Sequence, residues 1–297
     1  MAEITAGMVK ELRECTGAGM MECKKALSEA EGHLDTAIDI LRTRGLASLA
    51  KKAGRAANEG AIAAFVSEDG KTGTLVEVNS ETDFVGRNSE FLAFVNGIAE
   101  IVVKSAPADV DTLTTTEFIG RDGLTVQDVL GEAVSKLGEN IGVARFERIE
   151  ISGNGAVATY IHGGGKIGVI VEFGFGKAET GTADAFKTAA KDVAMQVAAA
   201  APLFVSRDEA PVDVIEHELS IYKQQAAESG KPEAIQEKMA QGRLEKYYKE
   251  VVLPEQVFVK DQDQTVAQYV AAVAKSLGDE IAIVGFTRWT LGETAEA

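Results

Sequence analysis

Three short stretches of this sequence hold side chains whose types and spacing could do chemistry. His162–Lys166, HGGGK, has the glycines and the lysine of a phosphate-cradling loop. A P-loop needs Ser or Thr after its Gly-Lys pair, and Ile167 stands there instead. Asn79–Asn88, NSETDFVGRN, sets one large aromatic, Phe84, and one apolar residue, Val85, among polar side chains, with Asp83 directly before the ring. A loop aromatic beside a carboxylate either anchors the loop in a core or projects as a wedge into a partner. Thr16–Met21, TGAGMM, puts Met20 and Met21 side by side at a helix start. Neighbours on a helix cannot easily both face one core, and exposed methionine adapts well to interfaces.

No catalytic constellation accompanies them. His33, His162 and His217 fall in three different modules, so no nucleophile–base pair or metal cluster forms from them. Cys15 and Cys23 are too few for a disulfide framework or a four-ligand zinc site. They read as two small buried hydrophobes in a reducing compartment. The carboxylates fall on helical faces and turns, where solvation is the ordinary state. The expectation is a protein that is not an enzyme and carries no cofactor.

Composition narrows the partners. The chain has 297 residues and a formal net charge of −16, which opposes a general affinity for nucleic-acid phosphates. Residues 1–55 are close to neutral, so almost all the excess negative charge lies beyond them. The N-terminus lacks a basic-then-apolar signal pattern, and no run of about 18 apolar residues occurs. A cytoplasmic protein is expected, without direct nucleic-acid or membrane contact.

The elements that must position these side chains are organised by an internal repeat. Gly60–Asn79 (GAIAAFVSEDGKTGTLVEVN) matches Gly155–Gly174 (GAVATYIHGGGKIGVIVEFG), 95 positions later. Thr125–Arg148 matches Thr265–Arg288 at an offset of 140. About 45 residues therefore enter the second copy between Pro202 and Thr265. Each copy reads strand, hairpin, strand, helix, helix, strand. In the first copy the strands are Ala61–Val66, Thr74–Val78 and Ile141–Ile149, with Asp69-Gly70 as the turn. Its helices are Glu90–Lys104, by apolar period, and Val126–Leu137, stopped by Gly138. The repeat also aligns HGGGK with the hairpin turn Ser67–Lys71, which removes the phosphate reading. It leaves Asp83–Phe84 without a counterpart in GFGKAET, Gly174–Thr180. The fold does not demand that loop, so its chemistry is a functional candidate.

The fold class expected is α+β: antiparallel sheets with helices on one side. The expected domains are a three-helix bundle at 1–50, a linker at 51–58, a first core subdomain at 59–151 and a second at 152–297. The bundle's third helix is expected to end near Gly45. The insertion, about 208–252, reads as a helical hairpin. Ile215, Leu219, Tyr222 and Ala226 face Ile235 and Met239, across a break at Ser229-Gly230 and a restart at Pro232.

These residues resemble the bacterial elongation factor Ts family over essentially the whole chain. The resemblance is carried by ELRECTGAGMMECKKAL, VEVNSETDFVGRNSEF, LGENIGVARF, IHGGGKIGVIV and SGKPEAIQEKMAQGRLEKYYKEVVL. It implies an N-terminal ubiquitin-associated-like domain, two related core subdomains and a coiled-coil arm. It implies guanine-nucleotide exchange on elongation factor Tu, with GDP released by displacing Mg²⁺ and disturbing the phosphate site. Thr82, Asp83, Phe84 and Val85 would be the magnesium-displacing segment. Met20 and Met21 would contact the partner's G domain, and Asn140, Ile141 and His162 would be further contacts. Some family members continue into a C-terminal helical module, and this sequence has LGETAEA after Thr290. A homodimer, or a 2:2 complex with elongation factor Tu, stays open. So do two other readings, a polypeptide-binding adaptor built on residues 1–55 and an enzyme.

Overall fold

The computed structural model describes residues 4–293. Three helices come first, α1 (Ala6–Thr16), α2 (Met20–Glu29) and α3 (Leu34–Lys52). The first copy follows as β1 (Glu59–Val66), β2 (Thr72–Ser80), a single turn α4 (Asp83–Gly86), α5 (Ser89–Ser105), α6 (Val110–Thr115), α7 (Val126–Leu137) and β3 (Ile141–Glu150). The second runs β4 (Gly155–His162), β5 (Ile167–Phe175) and α8 (Asp184–Ala200). The arm α9 (Val212–Ala227) and α10 (Glu233–Val251) comes next, then β6 (Val257–Phe258), β7 (Asp261–Thr265), α11 (Val266–Leu277) and β8 (Ile281–Thr290).

Each copy folds into a three-stranded antiparallel sheet, in the orders β1-β2-β3 and β4-β5-β8. The copies agree in detail. Both sheets bulge at matched places, Glu77/Val78 and Glu172/Phe173. The matched helices α5 and α8 each end in a left-handed alanine, Ala106 at φ 46° and Ala201 at φ 44°. Thr125 and Thr265 each start a helix with a reciprocal capping box, completed by Asp128 and Gln268. One face of each sheet carries helices, α5 and α7 on the first and α8 and α11 on the second. The other faces meet each other through Ile62, Leu75, Val157 and Ile170, with Trp289 alongside. The His162–Lys166 turn is a hairpin tip, and its Gly165 carbonyl accepts from Ile62 N at 2.9 Å.

Several expectations are corrected. Helix α3 does not stop near Gly45 but runs on to Lys52, taking up the start of the expected linker. Gly45 is buried in its middle, where the missing side chain lets α3 cross α7 at Gly131. Cys23 is buried but Cys15 is exposed, because the inward stripe of α1 runs Val9–Leu12–Thr16 and leaves Cys15 one residue off. On α10 the inward positions are Met239, Ala240 and Leu244, so Ile235 stands 44% exposed instead of joining the seam. The foot of the arm is also built into the second core. Leu203 N and Phe204 N both donate to the Val251 carbonyl, and Val252 and Leu253 are buried. Arg207 forks to Glu245 and Glu255 and lies 4.4 Å from the Tyr248 ring centroid. The short elements α6, β6 and β7 were not legible in the apolar pattern.

Candidate functional site

The Asp83–Phe84 turn is fixed from below and open above. Thr82 is its N-cap, and its hydroxyl accepts from Val85 N at 3.4 Å. Thr82 is itself held by Glu139, whose carboxylate accepts from Thr82 N at 3.0 Å and from Thr82 Oγ1 at 2.6 Å. On the far side Asn88 caps α5, its Oδ1 accepting from Glu90 N at 2.8 Å. Val85 is buried in the first core. Gly86 lies so close to β1 that a Cβ there would meet the Gly60 carbonyl oxygen at 2.7 Å. With both of those residues held inward, one helical step turns Phe84 outward, and it is 84% exposed. Of the two readings open for this ring, the buried anchor is excluded. The Asp83 carboxylate is partly exposed and pairs with Arg87 at 3.0 Å.

A second brace runs beside the first. Glu81 accepts from Asn140 N at 2.6 Å and from Arg55 at 3.2 Å. The Asn140 N–H, and then Arg55, hold the Glu81 carboxyl below the usual carboxylate range. The Asn140 side-chain amide donates to the Arg55 carbonyl at 2.8 Å. Thr82, Asp83, Phe84 and Asn140 thus share one rigid corner. Ile141 is fully buried in the first core and Val85 nearly so, so their side chains face inward while their backbone belongs to the corner. Both support the corner from within. Glu81 and Glu139 were missed among the sequence's many carboxylates. One signal existed: an acid recurs at the matched position of the second copy, where Asp279 accepts from Lys177 N at 3.0 Å.

The remaining candidates sit on other elements. Met20 and Met21 are 59% and 65% exposed at the start of α2, and they border an apolar groove with Ile4 and Val9 of the first helix region. His162 is exposed at the end of β4, with the Tyr160 hydroxyl 3.2 Å from its Nδ1. Tyr160, His162, Met195 and Val259 line a shallow depression. Among the described residues no group of three or more His, Cys, Asp or Glu could hold a metal ion. No helix among them is long and apolar enough to cross a membrane. What the braced turn presents to solvent is an exposed ring with a partly exposed carboxylate beside it, and two further apolar patches lie on other elements.

Comparison with known proteins gives one answer. A family model described as elongation factor TS matches residues 81–293, beginning at the glutamate of the second brace. The chain is 48% identical over 293 residues to an elongation factor Ts of Trichlorobacter lovleyi. It is 51% identical over 294 residues to one of Clostridioides difficile. Each match covers 99% of this chain and 94% of the relative.

Proposed function

The chain belongs to the elongation factor Ts family of translation elongation factors, and from that premise we propose that it is the guanine-nucleotide exchange factor for elongation factor Tu. The observation that carries the reading is Phe84, a large apolar side chain held out in solvent by a turn built to keep it there. Its second-copy counterpart is Glu179, and the turn there, Lys177–Gly181, holds no aromatic. The ring is therefore not a requirement of the fold.

The mechanism follows from linkage. A factor that binds the nucleotide-free partner more tightly than the GDP-bound one must weaken GDP binding by the same factor. GDP is held mainly through its phosphates and Mg²⁺, by charge-assisted hydrogen bonds and coordination. Phe84 acts as a wedge against the elements that hold those ligands. Asp83, a carboxylate one residue away, perturbs the charge around the metal. Met20, Met21, His162 and the exposed part of Asn140 supply affinity away from the wedge. GTP or GDP then rebinds and expels the factor. No covalent step is involved, and no cofactor is required.

The test is to mix the chain with elongation factor Tu·GDP and separate the products by size. A nucleotide-free complex that excess GDP dissolves supports the reading, and its mass distinguishes 1:1 from 2:2. A complex that keeps stoichiometric GDP, or no complex at all, refutes it.

A further inference from the structure

Helix α7 links two of the proposed contact regions. Near its N-terminus Asp128 receives a bidentate pair from Arg42 of α3, with Nε at 2.6 Å and Nη2 at 2.5 Å. One turn on, the helices cross at Gly131 and Gly45. A Cβ on Gly131 would lie 3.0 Å from the Gly45 carbonyl carbon, and one on Gly45 would lie 3.1 Å from that of Gly131. Further along, Lys52 Nζ donates to the Val134 carbonyl at 3.0 Å. Just past the end of α7, Glu139 grips Thr82 beneath Phe84. The bundle that carries Met20 and Met21 is thus not on a loose tether; it is clamped to the helix that also leads into the brace of the exchange turn.

The internal repeat separates what this helix needs for folding from what it needs for the clamp. The equivalent helix α11 caps itself with neutral Gln268 where α7 uses Asp128, and it has Ala271 where α7 has Gly131. Both Gln268 and Ala271 are exposed, whereas the Asp128 side chain is only 4% exposed. A carboxylate and a glycine are therefore not demanded by the capping box or by the sheet. They are demanded by α3.

We propose that Arg42, Asp128, Gly45 and Gly131 form a positioning joint that sets the Met20–Met21 patch at a fixed spacing from Phe84. The inference rests on the exchange reading above. None of the four residues touches the partner. Their effect is to present two contacts as one preorganised surface, so that docking of one raises the effective concentration of the other. A loose bundle would bind in two uncorrelated steps.

Asp128→Gln tests this in the full chain, because Gln268 shows that glutamine completes the same capping box. The chain concentration that half-maximally accelerates GDP release from elongation factor Tu should rise roughly three- to tenfold, a modest part of what linking two contacts can give. The rate at saturation should stay within about twofold, since the wedge is intact. Met20→Ala/Met21→Ala should raise that concentration too, and adding Asp128→Gln to it should change little more, because the joint acts only through those side chains. Effects that simply add would overturn the proposal. Geometry is read independently, from the spin-label distance between exposed Cys15 and a label at Ala93→Cys on α5. One narrow distribution should broaden in Asp128→Gln and in Gly131→Ala. An unchanged distribution in both variants overturns the joint, whether or not exchange is observed. Failure of the wild-type chain to accelerate release overturns the exchange reading instead.

Discussion

Phe84→Ala separates the wedge from the fold. The residue is 84% exposed, so only about a sixth of its roughly 200 Å² is covered by the chain itself. At about 25 cal/mol per Å², truncation removes on the order of 1 kcal/mol from folding, a loss of about 2–4 °C in Tm for a domain of this size. Burial in a partner is a different matter. About 170 Å² of the ring is free to be covered, an upper limit of about 4 kcal/mol, and part of that is lost to ordering and desolvation at the interface. A net effect of about 2 kcal/mol, roughly 30-fold, is reasonable for a central aromatic. The assay is GDP release from elongation factor Tu across a concentration series of wild-type and variant chains, with a calorimetric scan of each. The expected pair of results is at least a tenfold loss in stimulated release with a melt within a few degrees of wild type. Full activity in the variant would refute the wedge. A Tm loss above about 10 °C would show the ring to be structural, against its exposure.

Three further outcomes are expected. Asp83→Ala should slow stimulated release, and the defect should shrink when EDTA has removed the metal beforehand; a defect of equal size with and without Mg²⁺ would place the role of Asp83 elsewhere. Replacing residues 212–246 with a short Gly/Ser linker should leave one cooperative calorimetric transition, whereas cutting 208–252 also removes buried Val252 and the Val251 carbonyl and should destabilise the second core. Burial, with Glu172 nearby, pushes the Glu147 carboxyl above its ordinary value, even though Thr287 Oγ1 lies 3.0 Å away. Its ionised form therefore costs stability once pH exceeds the ordinary carboxylate range, so Glu147→Gln should raise Tm at pH 7.5 and lose that advantage towards about pH 4; a gain that grows in acid would contradict the sign.

Much of the architecture was legible because the two copies check each other. Val126–Leu137 is bounded by Thr125 and Gly138, and its partner Val266–Leu277 by Thr265 and Gly278, so local capping and the repeat agree at both ends. Gly45 was misread for the opposite reason. A glycine in a helical pattern is locally a stop, and only the tertiary crossing with Gly131 reveals it as a close contact. Cys15 and Ile235 each lie one residue from an inward stripe, and a 100° error cannot be seen without the partner helix. At the candidate site, sequence resemblance marks a segment but not its facing. Thr82, Asp83 and Phe84 form the surface of that corner, while Val85 and Ile141 lie beneath it. The braces from Glu81 and Glu139 come from residues 57 to 59 positions distant from their partners, and only the fold brings them together.

The most direct test is stopped-flow release of a fluorescent GDP analogue from elongation factor Tu, chased with unlabelled GDP, with and without this chain. Catalysed exchange predicts release that accelerates with chain concentration, saturates, and is achieved by substoichiometric amounts of chain. Release at the intrinsic rate, under conditions where the two proteins demonstrably form a complex, would contradict it.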